Sequence, residues 1–148
     1  MRILGIDHGT KRIGLAIADE DGTLAVPFGV LEHTGMPMVL AEVRRLIAQE
    51  EISRIVIGIP LSLDGDQQSD QEVLVRAFID ALRGAIDVPI ETIDERFTTT
   101  EAAMIAGAVP RKQRVQKDEA AAAIILQAYL DQRMSKSGAR VNQVVTSA

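Results

Sequence analysis

A chain of 148 residues has the commonest length for a single domain. With 47% hydrophobic and 25% charged residues it can bury one ordinary core. The absence of cysteine excludes a disulfide framework and any thiolate metal site, and a formal net charge of −5 means that a nucleic-acid surface, if present, must be a local basic patch.

Ile3-Leu4-Gly5-Ile6 is a short apolar run of the kind found in a buried strand, with Asp7 at or near its end. His8-Gly9-Thr10 reads as a turn, and Ile13–Ala18 resumes a strand-like stretch. Asp19-Glu20-Asp21-Gly22 signals a second turn before a third strand reaching about Leu31. Such short connections predict an antiparallel meander, because parallel neighbours need long crossovers.

The period then changes. Val39, Leu40, Val43, Leu46 and Ile47 recur at helical spacing, with Pro37 suited to the first turn. Arg54 to Ile59 forms a continuous strand ended by Pro60. Val73, Leu74, Ala77, Phe78, Ala81 and Leu82 mark the expected buried face of a second helix, and Val88–Ile93 is the fifth strand. Thr98-x-x-Glu101 matches a capping box and predicts a helix start there. An Ala- and Leu-rich helix is expected from Asp118 to Arg133. Residues 135–148 read as a poorly ordered tail, which leaves residues 1–134 as the domain.

The order β-β-β-α-β-α-β-α-α predicts an α/β fold. Its mixed five-stranded sheet has three antiparallel strands, then two parallel ones, flanked by helices. No apolar run approaches the roughly 18 residues of a membrane span. Met1-Arg2 leads directly into the first strand, too briefly for a signal peptide. A soluble cytoplasmic protein is the expectation.

Three carboxylates stand where chemistry is plausible. Asp7 closes a strand, and is either a turn former or a ligand; Glu95 follows the fifth strand, beside a possible ion-pair partner in Arg96; Asp118 either caps the last helix or joins the other two. If the fold unites them, their hard oxygens suit Mg²⁺ or Mn²⁺ and phosphodiester hydrolysis. Other machinery is missing: the chain has no thiol, no His-x-x-x-His helix and no GxxxxGK[ST] loop. His8 is either a turn residue or an assistant to Asp7. Asp7-x-Gly9-Thr10 also resembles the phosphate loop of actin-like and sugar kinases, a resemblance that implies two such domains and an adenosine pocket where this chain has room for one domain. Gly5, Gly9 and Gly14 suit tight turns or close backbone approach.

Gly5-Ile6-Asp7-His8-Gly9-Thr10-Lys11-Arg12-Ile13-Gly14-Leu15-Ala16 resembles the opening motif of the YqgF, or RuvX-like, family. Ile57-Gly58-Ile59-Pro60-Leu61 through Asp64-Gly65 resembles its V-G-L-P-L…D-G segment, with Ile59 where Leu is frequent. Asp94-Glu95-Arg96-Phe97-Thr98-Thr99-Thr100-Glu101-Ala102 resembles its D-E-R-x-[ST]-T…A motif, and Asp118 to Gln127 its D-x-x-A-A-x-x-I-L-Q helix. The motifs occur in order over about residues 2–133.

The resemblance implies an RNase H-like fold and a metal-dependent nuclease maturing the 5′ end of pre-16S ribosomal RNA. Holliday junction resolution, or nucleic-acid binding without cutting, are the alternatives. It implies Asp7, Glu95 and Asp118 as catalytic and metal-binding residues, with Mg²⁺ or Mn²⁺. Lys11, Arg12, Thr98, Thr99, Arg111, Lys112, Arg114 and Lys117 then become candidates for phosphate contact. The expected partners are precursor rRNA or branched DNA, with ribosomal or transcription factors beside them, and the chain acts as a monomer or homodimer.

Overall fold

A computed structural model of the protein describes residues 1–61, 69–95 and 114–147, with side chains in the last stretch over 118–134. Its strands are β1 (Arg2–His8), β2 (Arg12–Asp19), β3 (Val26–Glu32), β4 (Ile52–Ile59) and β5 (Ile90–Asp94); its helices are α1 (Met36–Gln49), α2 (Asp70–Ala85) and α3 (Arg114–Ser147). They form one five-stranded sheet in the order β3-β2-β1-β4-β5. β1 and β3 pair antiparallel with β2, whereas β4 pairs parallel with both β1 and β5. The mixed sheet expected from the sequence is the one observed. The helix expected near Thr98 lies outside the described residues.

Alternation along the strands divides the interior into two layers. Leu4, Ile6, Ile13, Leu15, Ile55 and Ile57 face α1 and α2 and pack on Val39, Val43, Leu46, Val75, Phe78, Ile79 and Leu82. Ile3, Ala16, Ala18, Val56 and Ile93 face α3 and meet Ala122, Ile125, Leu126, Tyr129 and Leu130. The residues toward α3 are smaller, so that helix lies closer to the sheet. Glycines bring it closer still: a Cβ on Gly5 would stand 2.8 Å from Leu126 Cβ, and one on Gly58 2.7 Å from Ile125 Cδ1.

Three expectations are corrected. The buried face of α2 is Glu72, Val75, Phe78, Ile79 and Leu82, while Val73 and Leu74 are about half exposed. Both stripes have helical spacing, but the expected one contains two alanines and buries less apolar area than Val75, Phe78, Ile79 and Leu82 together. Ser69 caps this helix by accepting a hydrogen bond from the Glu72 amide at 3.1 Å. The last helix begins at Arg114, four residues before Asp118, and its backbone continues to Ser147, beyond the expected end at Arg133. No proline follows Arg133, and Gly138 alone does not stop a helix.

Candidate active site

Asp7 is the penultimate residue of β1 and pairs in register with Gly14 of β2. By alternation it shares a face with Ile3 and Gly5, the face covered by α3. Glu95 directly follows β5. Asp118 lies on the second turn of α3, so it is not that helix's N-cap. All three are half-buried.

Two glycines let these residues approach. The space a Cβ on Gly14 would need is occupied by the backbone carbonyl of Asp118. A Cβ on Gly58 would stand 3.0 Å from both Cγ and Oε1 of Glu95. The sequence pointed to close approach at Gly5 and Gly14, but gave Gly58 no such role; its signal was an isolated glycine inside a β-branched run.

The electrostatics tie the three together. Burial, then the charges of Glu95 and Asp118, push the Asp7 carboxyl up to about 7. Burial and the neighbouring Asp94 raise Glu95. Asp118 has a cationic partner: Arg12 Nε donates to its Oδ2 at 2.7 Å. Arg12, expected to hold phosphate, is therefore engaged with a site carboxylate across the β2–α3 junction. Lys11 is exposed in the β1–β2 turn, which the His33 amide pins by donating to the Lys11 carbonyl at 2.9 Å.

As a donor set these carboxylates fit a hard divalent cation in kind and in charge, since a cation would relieve the repulsion felt by Asp7. Their spacing is not that of a closed cage: among the described residues no group of three or more His, Asp or Glu could hold a metal ion. Thr98, Thr99, Arg111 and Lys112 lie outside the described residues. Arg114 and Lys117 lie on the backbone of α3, with side chains outside the description.

His8 neither makes a turn nor joins Asp7. It ends β1 on the opposite face, 7% exposed, with its ring centroid 4.6 Å from Phe78 and 5.2 Å from His33. Burial and the proximity of His33 lower its pKa to about 4. His33 Nδ1 is 3.1 Å from the Gly9 carbonyl oxygen and donates to it. This aromatic group was not legible in the sequence, because Phe78 is remote from both histidines along the chain.

Comparison with known proteins places these features in a family. The model of the family described as "RuvX: Holliday junction resolvase" matches residues 1–132. A protein of Chloroflexus aurantiacus named "Putative pre-16S rRNA nuclease" is 39% identical, over 90% of this chain and 88% of its own length. One of the same name from Maridesulfovibrio salexigens is 41% identical, over 88% of this chain and 98% of its own. Among solved structures, Thermus thermophilus RuvC in complex with Holliday junction substrate superposes with a TM-score of 0.57 at 18% identity, covering 90% of this chain and 96% of that one. At that identity the likeness concerns the fold, which is RNase H-like. With its opening strand, site glycines and the part of α3 that bears Asp118 inside the matched span, the chain belongs to the RuvX family.

Proposed function

We propose that the protein is a metal-dependent nuclease that hydrolyses phosphodiester bonds while processing the 5′ end of pre-16S rRNA in ribosome biogenesis. The observation that carries this reading is Asp7: a half-buried carboxyl pushed up to about 7, in the field of Glu95 and Asp118, on the sheet face covered by α3. A carboxylate so destabilised without a cation is poised to accept one. The relatives named for pre-16S rRNA supply the substrate.

As they stand Asp7, Glu95 and Asp118 do not form a cage; drawn together they would hold Mg²⁺ or Mn²⁺, which would activate water and stabilise the leaving oxygen. Asp7 supplies the inner carboxylate, fixed by the β1 ladder. Glu95 reaches the same region from the end of β5 over Gly58. Arg12 neutralises Asp118 through its Nε–Oδ2 bond and keeps one positive charge at the rim. Lys11, Thr98, Thr99, Arg111, Lys112, Arg114 and Lys117 would contact the phosphate backbone around the cut. These contacts give affinity that falls with salt and carries little sequence information. Among the described residues no helix is long and apolar enough to cross a membrane, in keeping with action in the cytoplasm on nascent ribosomal particles. The working unit would be a monomer or a homodimer.

A second reading is Holliday junction resolution, favoured by the description of the matching family. The two are separated by offering precursor rRNA and a four-way DNA junction side by side to wild type and Asp7→Asn, with the metal varied. Cleavage of the rRNA by wild type only, and only with a divalent ion, supports the first. Metal-dependent cutting of the junction alone supports the second. Binding without products from either overturns both and makes the protein a binding factor.

A further inference from the structure

The end of β1 presents two faces. Asp7 turns toward α3, and His8 turns into a cleft of about 310 Å³ lined by Thr10, His33, Met36, Leu74, Ala77 and Phe78 as well. That volume is near the lower limit for ligand sites, and suits a single ring system rather than a stack of base pairs. Its aromatic part is a triangle of rings, His8 with Phe78 at 4.6 Å and His33 at 5.2 Å, and His33 with Phe78 at 6.2 Å. Leu74 and Ala77 stand beside Phe78 on one side of α2, exposed where Val75 and Ile79 turn to the core. Thr10 places a hydroxyl in the lining, and His33, with Nδ1 engaged by Gly9, keeps Nε2 as its remaining polar ring atom. Aromatic and apolar walls with a few hydrogen-bonding atoms suit an unstacked base, and suit a charged ligand less.

The cleft and the carboxylates lie on opposite faces of the same strand end. Asp7 and His8 are consecutive, so their Cα atoms are about 3.8 Å apart. The β1–β2 turn between the two places contributes Thr10 to the cleft, while Arg12, two residues on, bonds Asp118. A nucleic-acid strand crossing the sheet at this end, with a phosphate at Asp7, would bring an adjacent nucleotide over the cleft. We propose that the His8–His33–Phe78 cleft receives one unpaired nucleobase of the strand being cut, beside the phosphodiester held at the carboxylates. The inference rests on the nuclease reading and gives it a substrate class: a strand unpaired next to the cut, rather than continuous duplex.

Ala77 is exposed on α2, so Ala77→Leu fills the cleft with uncharged volume without disturbing the core or the helix. Binding is measured with Asp7→Asn as background, using single-stranded RNA and DNA oligonucleotides, intact or carrying one abasic position scanned along the strand. One abasic position should weaken binding roughly tenfold. Ala77→Leu should weaken the intact strand to a similar degree and abolish the difference between intact and abasic, with an unchanged melt. Thr10→Val should give a smaller loss that depends on which base is offered. The RNA and DNA arms tell which kind of strand supplies the base. Equal binding of intact and abasic strands at every position, an undiminished abasic effect in Ala77→Leu, or no binding of any strand overturns the proposal. If wild type cuts and no abasic effect appears, the cleft falls and the nuclease stands. If nothing is cut but the abasic and Ala77→Leu effects appear, the cleft stands alone.

Discussion

Gly14 and Asp118 meet backbone to backbone: the carbonyl oxygen of Asp118 fills the place where a side chain on Gly14 would begin. Gly14 is also the cross-strand partner of Asp7, so this contact sets how closely α3 brings Asp118 to the β1 carboxylate. Gly14→Ala should push the start of α3 outward, destabilising the fold by about 1–3 kcal/mol. Cleavage should fall more than stability explains, since the Asp7–Asp118 spacing is what moves. Urea unfolding and a cleavage time course on the same preparation check this. A variant with wild-type activity would show that the spacing is unimportant.

Asp7 and His8 carry opposite pH dependences. Asp7 is raised from 3.8 to about 7, so between those values the folded state binds more protons than the unfolded state, and its contribution to stability falls as pH rises. His8 is lowered from 6.5 to about 4, so over that window the unfolded state binds more protons and stability rises with pH. The two slopes oppose each other in wild type. Asp7→Asn should leave the rising slope exposed between pH 4 and 6.5 and be more stable than wild type at pH 8. The gain is on the order of 2 kcal/mol, allowing for the water that reaches a half-buried group. Thermal melts from pH 4 to 8 read the result; an Asn variant less stable than wild type at pH 8 would contradict the raised value.

A divalent ion should raise the melting temperature of wild type at pH 8, where Asp7 is ionised, and do so less at pH 5.5. An ion at a hundred times its Kd stabilises by about 2.7 kcal/mol. Asp7→Asn should lose most of that increment. Melts with and without Mg²⁺, and after chelation, test it without reference to any substrate.

Arg12→Ala removes the cation from Asp118. The pair is partly exposed, so stability should change by less than about 1 kcal/mol. Divalent-ion affinity should rise, because a competing positive charge is gone. Nucleic-acid affinity should fall, with a log–log salt slope lower by no more than about one. Weaker metal binding in the variant would mean that Arg12 chiefly orients Asp118.

Much of the fold could be read in the sequence because its signals are local. Ile3–Ile6 and Arg54–Ile59 are uninterrupted apolar runs, and the short β1–β2 connection fixes the antiparallel pairing. What depended on contact between distant parts was less legible. A helix cap stayed open as a reading of Asp118 because the start of α3 at Arg114 has no proline or strong N-cap signal. The α2 face was misjudged because two apolar stripes share one helix, and only the sheet selects Val75 and Ile79. His8 passed for a turn residue because β1 runs one pair further, to Ile13 across the ladder, than its apolar run suggested.

The same glycine-to-alanine exchange that stiffens many proteins would have opposite signs within this chain. Gly84, on α2, has open space where a Cβ would go, so alanine there should stabilise by about 0.5–1 kcal/mol. Under α3, Gly5, Gly14 and Gly58 have no such room. A campaign to make the protein more heat-resistant would therefore have to leave the face bearing the carboxylates alone and look for its gains on the other side of the sheet.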